Sequence, residues 1–395
     1  MTDGFFKYQA QTSPYPLALE ISHAKGSYIY DTNNKAYLDF VAGVSACTLG
    51  HCHPKIVDAI KNQADKYLHV MVYGEYAQQP AVDLCAFIAK HLPAPLESTY
   101  LVNSGTEAIE GALKLARRVT GRSQIIAAHN AYHGNTMGSL SLMDFEERKA
   151  PFRPLLPDIN HITFNYEPHL KHITTKTAAV IVETIQGGAG FIEPENNYLT
   201  VLKAKCKAVG ALLILDEIQP GIGRTGKLFG FENYNVIPDI VVTGKGLGGG
   251  LPIGAFTASK AHMDTLQDSP KLGHITTFGG NPLIAASALA TLKEVVNSDL
   301  MAEALIKEQV IRQHLKHPLI TQIRGRGLML AALTTSADIT NKVILEAQNQ
   351  GLILFWLLFE PKAIRITPPL TISIAQIIDG CGIIIDLLDN ISDHN

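Results

Sequence analysis

The chain has 395 residues, with 33 Lys+Arg against 36 Asp+Glu, a formal net charge of −3 and a pI near 6.6. That balance excludes a nucleic-acid binder working through a basic footprint, and the length suggests two or three domains with a sizeable core. Only 17% of residues are charged, 46% are hydrophobic and the mean hydropathy is +0.11; this excludes a disordered chain and suggests surface buried between subunits.

The N-terminal stretch MTDGFFKYQAQTSPYP has no basic start followed by an apolar run, so no secretory signal is expected. Residues 20–45 read as short strands, with a hairpin in YIYDTNNKAYLDF turning at Asn33–Asn34. His51, Cys52 and His53 lack the two-plus-two spacing of a zinc site and read as a structural or substrate-side loop, so no metal is expected. KIVDAIKNQADKYLH, after Pro54, has helical period. The runs STYLVN, SQIIAAH, AAVIVE, ALLILDE and DIVVTGK then alternate with helical segments. Continuous Val/Ile/Leu runs of this kind predict strands of a mostly parallel sheet covered by helices, an α/β fold. A long helical stretch is expected from Ala285 to about Lys316. Short strands follow in RGRGLMLAAL, GLILFWLLF and AIRITPPL, then a helix near Ile374–Ile391, together a smaller α+β domain. The apolar run Leu352–Phe359 falls far short of the ~20 residues of a membrane helix and reads as a core strand or part of an interface. The scattered, odd-numbered cysteines fit a reducing cytosol.

The chemistry lies where polar residues end these strands, because open α/β sheets bind ligands at the carboxyl ends of strands. In NSGTEAIEGALKLARR, Ser104, Gly105 and Thr106 open a helix whose apolar residues fall on one face. Its free N–H groups and dipole favour an anion, typically phosphate; an ordinary Ser/Thr cap is the plainer reading. Asp216 ends a buried strand and needs a partner, either the protonated ring nitrogen of a cofactor or a local arginine such as Arg224. Lys245, in TGKGLGGGLPIGA, has apolar or glycine flanks. A desolvated lysine has a lowered pKa and becomes a nucleophile for aldehydes, forming a Schiff base. A phosphate cradle, a pyridinium partner and such a lysine are the parts of a pyridoxal 5′-phosphate site.

At these motifs the sequence resembles the class III (acetylornithine/ornithine/4-aminobutyrate type) aminotransferases of fold type I. The segments DEIQPGIGRTG, GKGLGGGLPIGA and TTFGGNPL carry the likeness, which extends from YIYDTNNKAYLDF and LGHCHP to IRITPPL. The resemblance implies an aspartate aminotransferase-like fold with an N-terminal segment (1–50), a large cofactor domain (51–285) and a small C-terminal domain (286–395). It implies that Lys245 is the Schiff-base lysine and proton shuttle and that Asp216 holds the pyridinium nitrogen. Ile218 then packs under the ring, Gln219 lies near its hydroxyl, and Tyr132 stacks above it beside His133. Ser104, Gly105 and Thr106 hold the phosphate. Glu183 lies near the ring, Thr277 reaches the phosphate of a neighbouring subunit, and Arg365 anchors a substrate carboxylate. A cytoplasmic homodimer with a shared site is implied, moving an ω-amino group to a 2-oxo acid, by default 2-oxoglutarate.

Three positions depart from the family pattern. The arginine usual after the aromatic-His-Gly motif is Asn135. The acid that can mask the substrate arginine is Gly188, and the proline of E-P-I-Q is Thr184. With Asn135 in place, a dicarboxylate lacks one expected partner; Arg148 and Arg153 are the candidates to replace it.

Overall fold

The structure, a computed structural model, describes residues 1–392. Strands β1 (Ile21–Lys25), β2 (Tyr28–Asp31) and β3 (Ala36–Asp39) form an antiparallel meander. The predicted hairpin is present, and Asn34 adopts the left-handed backbone its turn requires. The central sheet contains β4 (Ser98–Val102), β5 (Gln124–Ala128), β6 (Ile159–Ile162), β7 (Thr177–Glu183), β8 (Leu212–Asp216), β9 (Ile240–Gly244) and β10 (Gly254–Ala258). Its order is β4-β10-β9-β8-β7-β5-β6, and only β10 runs against the rest. The remaining strands are β11 (Ile320–Arg326), β12 (Met329–Thr334), β13 (Leu352–Ile353), β14 (Phe355–Trp356) and β15 (Ala363–Ile366). They make a third sheet ordered β11-β12-β15-β14, while β13 leaves it to lie parallel to β3.

The runs of β-branched and Leu residues behave as their composition requires. Every residue of β7, β8 and β9 is buried, because helices cover both faces. One face packs on Ala108, Ile109, Ala112, Leu113 and Ala116 of the helix Gly105–Thr120, with Ile181, Ile214 and Val242 of the sheet. The other face joins a core that runs without a break into Leu330 of β12 and Ile384 of the helix Ile374–Ser392.

Three local expectations are corrected. The helical stretch expected from Ala285 to Lys316 is two helices, Pro282–Val296 and Leu300–His314. The polar triplet Asn297-Ser298-Asp299 breaks it, and the Asn297 N–H closes the first helix on Lys293 O. The run Leu352–Phe359 is not one strand. Its first pair hydrogen-bonds to β3 and its second to β15, so the chain changes sheets at Leu354. The glycine-rich segment after Lys245 leads into β10, the reversed strand. A Cβ on Gly254 would lie 2.0 Å from Ser104 O, so only glycine lets β10 start beside the entrance of the Gly105–Thr120 helix.

Candidate active site

Because β4, β5, β7, β8 and β9 point the same way, their carboxyl ends share one rim. Glu183 and Asp216 are register partners at the ends of β7 and β8. Lys245 follows β9 with φ +40°, a left-handed backbone that is strained for a residue with a Cβ and is found mostly at functional positions. A cavity of about 470 Å³ opens over this rim. Gly105, Thr106, Tyr132, His133, Asn135, Glu183, Gly188, Asp216, Ile218, Gln219, Lys245 and Arg365 all line it.

Two of the predicted residues are not in the lining. Ser104 is the N-cap: its hydroxyl accepts the Glu107 N–H at 3.3 Å and its carbonyl accepts the Ala108 N–H at 3.1 Å. The plainer reading of this serine therefore describes its side chain. Thr277 sits outside the cavity on an exposed segment. The N–H groups of Gly105 and Thr106, the first two of the helix, have no acceptor among the described residues. The Thr106 hydroxyl is already engaged, 2.7 Å from the hydroxyls of Thr136 and Ser139. What the segment offers an anion is therefore backbone N–H and helix dipole.

Asp216 has no bond to Arg224. Instead its Oδ2 lies 2.7 Å from His133 Nδ1, and its Oδ1 accepts the Ile218 N–H at 2.9 Å. Arg224 is buried elsewhere and donates to the carbonyls of Leu328 and Pro368. Burial disfavours charge on His133, but the Asp216 hydrogen bond and the nearby carboxylates outweigh it and raise its pKa. Its Nε2 is buried with no partner. Burial pushes the Glu183 carboxyl up to about 7, against the opposing pull of His133 and the N–H groups of Gly187 and Tyr132. Burial lowers the pKa of Lys245; Asp216 and Glu183 oppose this and Arg365 adds to it. Burial also lowers Arg365 to about 10. Its Nη1 has no partner, and its guanidinium lies 5.6 Å from the Phe191 ring.

Further lining comes from Val44, Gly134, Pro220, Phe355, Trp356 and Leu358. Of these, only Gly134 and Pro220 fall in motifs the sequence singled out. Val44 lies in Ala42–Ser45, which winds left-handed and is pinned where Asp39 Oδ1 accepts the N–H groups of Val41 and Ala42. A β-branched residue in that conformation gives no sequence signal. His51 Nε2 lies 2.8 Å from Asp39 Oδ2, so this histidine of the LGHCHP loop braces the same segment. Among the described residues, no group of three or more His, Cys, Asp or Glu is placed to hold a metal.

The residues fit pyridoxal phosphate on three observations. Two helix-terminal N–H groups lack an acceptor, the buried His133–Asp216 pair faces the cavity with an unpartnered Nε2, and Lys245 enters the same space without a hydrogen-bond partner among the described residues. A reversed strand inside a parallel sheet, with a lysine after β9 and an aspartate ending β8, defines a pyridoxal-phosphate-dependent enzyme of fold type I.

Comparison with known proteins narrows that class. The chain matches the model of the class-III aminotransferases over residues 8–388 and belongs to that family. It is 38% identical over 371 residues to the acetylornithine aminotransferase of Bacillus subtilis (strain 168), covering 92% of this chain and 93% of that protein. It is 36% identical over 398 residues to the acetylornithine aminotransferase of Caldanaerobacter subterraneus subsp. tengcongensis, covering 98% of each. Among solved structures, the ornithine aminotransferase of Toxoplasma gondii ME49 superposes with a TM-score of 0.92 at 30% identity, over 100% of this chain and 96% of that one. Another structure of the Toxoplasma gondii ornithine aminotransferase, with pyridoxal phosphate at partial occupancy in its active site, gives 0.92 at 31% identity, over 100% and 95%. The chain is a pyridoxal-phosphate-dependent aminotransferase.

Proposed function

We propose that this aminotransferase takes the ω-amine of an acetylornithine- or ornithine-like donor and passes it to a 2-oxo acid, by default 2-oxoglutarate. The observation that carries this is the meeting of Lys245, Asp216 and Arg365 in one cavity beside two free helix-terminal N–H groups. Pyridoxal phosphate supplies the carbonyl that condenses with amines and a ring that accepts the electron pair released next to nitrogen. Lys245 moves the proton: burial favours its neutral amine, which takes a proton from the substrate carbon through Nζ and returns it. Asp216 gives the ring nitrogen a carboxylate partner, oriented by His133 and the Ile218 N–H. Gly105 and Thr106 hold phosphate through their N–H groups. Tyr132 and Ile218, both in the lining, would flank the ring. Arg365 binds the substrate carboxylate with its unpartnered nitrogen.

Gly188 leaves Arg365 unmasked, and the structure supports this reading. A Cβ at Gly188 would lie 2.8 Å from Phe359, which fills the space an acidic side chain would take. A homodimer that shares its site is supported by the surface around Thr277, where Leu68, Val70, Leu272, Ile275 and Phe278 are each at least 49% exposed. The two segments lie together, with Asn281 donating to Leu68 O and the Tyr73 N–H to Thr276 O. A cytoplasmic location is supported by five free cysteines, and among the described residues no helix is long and apolar enough to cross a membrane.

A second reading has its own observation. Val44, Phe355, Trp356 and Leu358 add apolar side chains to the lining, which favours an amine with an apolar body. Initial rates with acetylornithine, succinylornithine, ornithine, 4-aminobutyrate, lysine, β-alanine and an apolar amine such as 1-phenylethylamine, each against 2-oxoglutarate and pyruvate, test both. The first reading expects acetylornithine or ornithine to lead. Rates highest with 4-aminobutyrate, lysine or β-alanine would replace the donor assignment.

A further inference from the structure

Arg148 lies outside the cavity lining but close to it. It lies on the short helix Glu146–Lys149, and its guanidinium carbon is 5.9 Å from the centre of the Phe359 ring. That ring is fixed in place. Phe145 packs on it at 5.2 Å, its own N–H donates to Gly188 O at 2.9 Å, and its edge abuts Gly188 in the cavity wall. The charge of Arg148 also reaches the phenol of Tyr132, another lining residue. Asn135, where the family pattern carries arginine, donates to that same phenol at 3.3 Å.

The other cations of the segment are committed. Lys149 is turned inward and donates to Ser141 O, and Arg153 grips Glu146 through two nitrogens. Among the described residues, the Arg148 side chain has neither a hydrogen bond nor an ion pair, and its guanidinium lies over the Phe359 ring. Stacking on a ring holds a guanidinium in place while leaving its edge N–H groups free for a carboxylate. The cavity thus has Arg365 in its lining with one guanidinium nitrogen unpartnered, and Arg148 close by, over the ring that abuts Gly188.

We propose that Arg148 is a specificity-determining residue that binds the distal carboxylate of a dicarboxylic 2-oxo acid, while Arg365 holds the carboxylate beside the reacting carbon. This rests on the reading of Arg365 given above. It makes Arg148 the replacement for the arginine that Asn135 lacks, brought from a different segment of the chain.

The test is calorimetric titration of the holoenzyme with glutarate and with propionate, neither of which can be transaminated. Arg148→Met keeps the alkyl stem on Phe359 and removes the charge. Glutarate is expected to bind about tenfold more weakly to this variant, the scale of a charge-assisted hydrogen bond near the surface, with propionate within about twofold of the wild type. Arg153→Met should change neither. In turnover, the KM for 2-oxoglutarate should rise about tenfold with kcat and the pyruvate kinetics unchanged. Wild-type glutarate affinity in Arg148→Met, or an equal loss for both acids, would overturn the proposal. Arg365→Met separately tests the anchor: unchanged propionate binding there would remove Arg365 from substrate binding, whatever Arg148→Met shows.

Discussion

The two ends of the cavity are built from different kinds of structure. The deep end is made of strand termini. Asp216 and Glu183 are neighbours in register, Lys245 follows directly on β9, and hydrogen bonds to His133 and Ile218 fix the Asp216 carboxylate. The outer end is made of a chain that changes sheets, Leu352–Phe359, and of a short helix that presents Arg148. Its aromatic rings set the shape: Phe359 closes the space at Gly188, and Trp356 is held by its Nε1 on Asn341 Oδ1 at 2.7 Å. The deep end uses groups every amino-transfer reaction needs. In the proposed function, the outer end meets the part of a substrate that differs from one donor or acceptor to the next.

Substitutions should separate the two. Lys245→Ala should lower turnover by about 10⁴-fold or more with every substrate pair, because no other group supplies that proton transfer. Steady-state rates on folded protein, checked by circular dichroism, would show this. Asp216→Asn should cost about 10²–10³-fold in kcat, on the scale of one preorganised electrostatic partner, again with every substrate. A loss confined to one donor would move Asp216 to the other end of the comparison. Arg365→Ala should raise KM for carboxylate substrates about 10²-fold and leave simple amines nearly unchanged, as measured by KM over a matched substrate set. An equal effect on both classes would contradict its role.

Glu183 sits deep in the cavity, and its titration acts on the whole fold. Burial raises its pKa to about 7, well above the ordinary carboxylate value near 4.5, so the folded state holds its proton longer than the unfolded one. Its contribution to stability is therefore full below the unfolded value and is lost as pH rises through about 7. Between pH 5 and 7 this amounts to about 2 kcal/mol. In Glu183→Gln the decline of Tm over that interval should be shallower; a curve parallel to the wild type would show that Glu183 does not titrate there. The smallest effect is expected behind the site, at Thr184. Its hydroxyl donates to the buried carboxylate of Glu217, which also accepts the N–H groups of Gly230 and Phe231. Thr184→Val should cost about 1.5 kcal/mol in urea unfolding without changing substrate preference. A change of preference there would link the scaffold to the outer end.

Legibility in the sequence follows the same division. Strands β4, β5, β7, β8 and β9 were readable because burial in a covered sheet demands apolar runs; β6 and β10, in INHI and GAFTA, gave no such run. The deep residues were readable because a carboxylate or lysine at the end of such a run has no apolar explanation. The outer residues gave no such signal. Phe355, Trp356 and Leu358 sit in an apolar run that reads equally well as core. Val44 lines the cavity only because Ala42–Ser45 winds left-handed, and Arg148 looks like any surface arginine until Phe359 is placed beneath it. Thr184 read as a departure from a pattern, and its reason, the buried Glu217, lies 33 residues away in sequence.

By itself the sequence determined the α/β class, five of the central strands and the groups at their ends, because these depend on local period and on polar residues breaking apolar runs. The tertiary structure decided what those groups touch. It paired Asp216 with His133 in place of Arg224, gave Ser104 to the helix cap, reversed β10, and brought Arg148 and Gly188 to one phenylalanine ring. Apart from the Ser104 cap, which spans three positions, such contacts join residues about ten to more than two hundred positions apart, and only the packing of three sheets determines which of them meet.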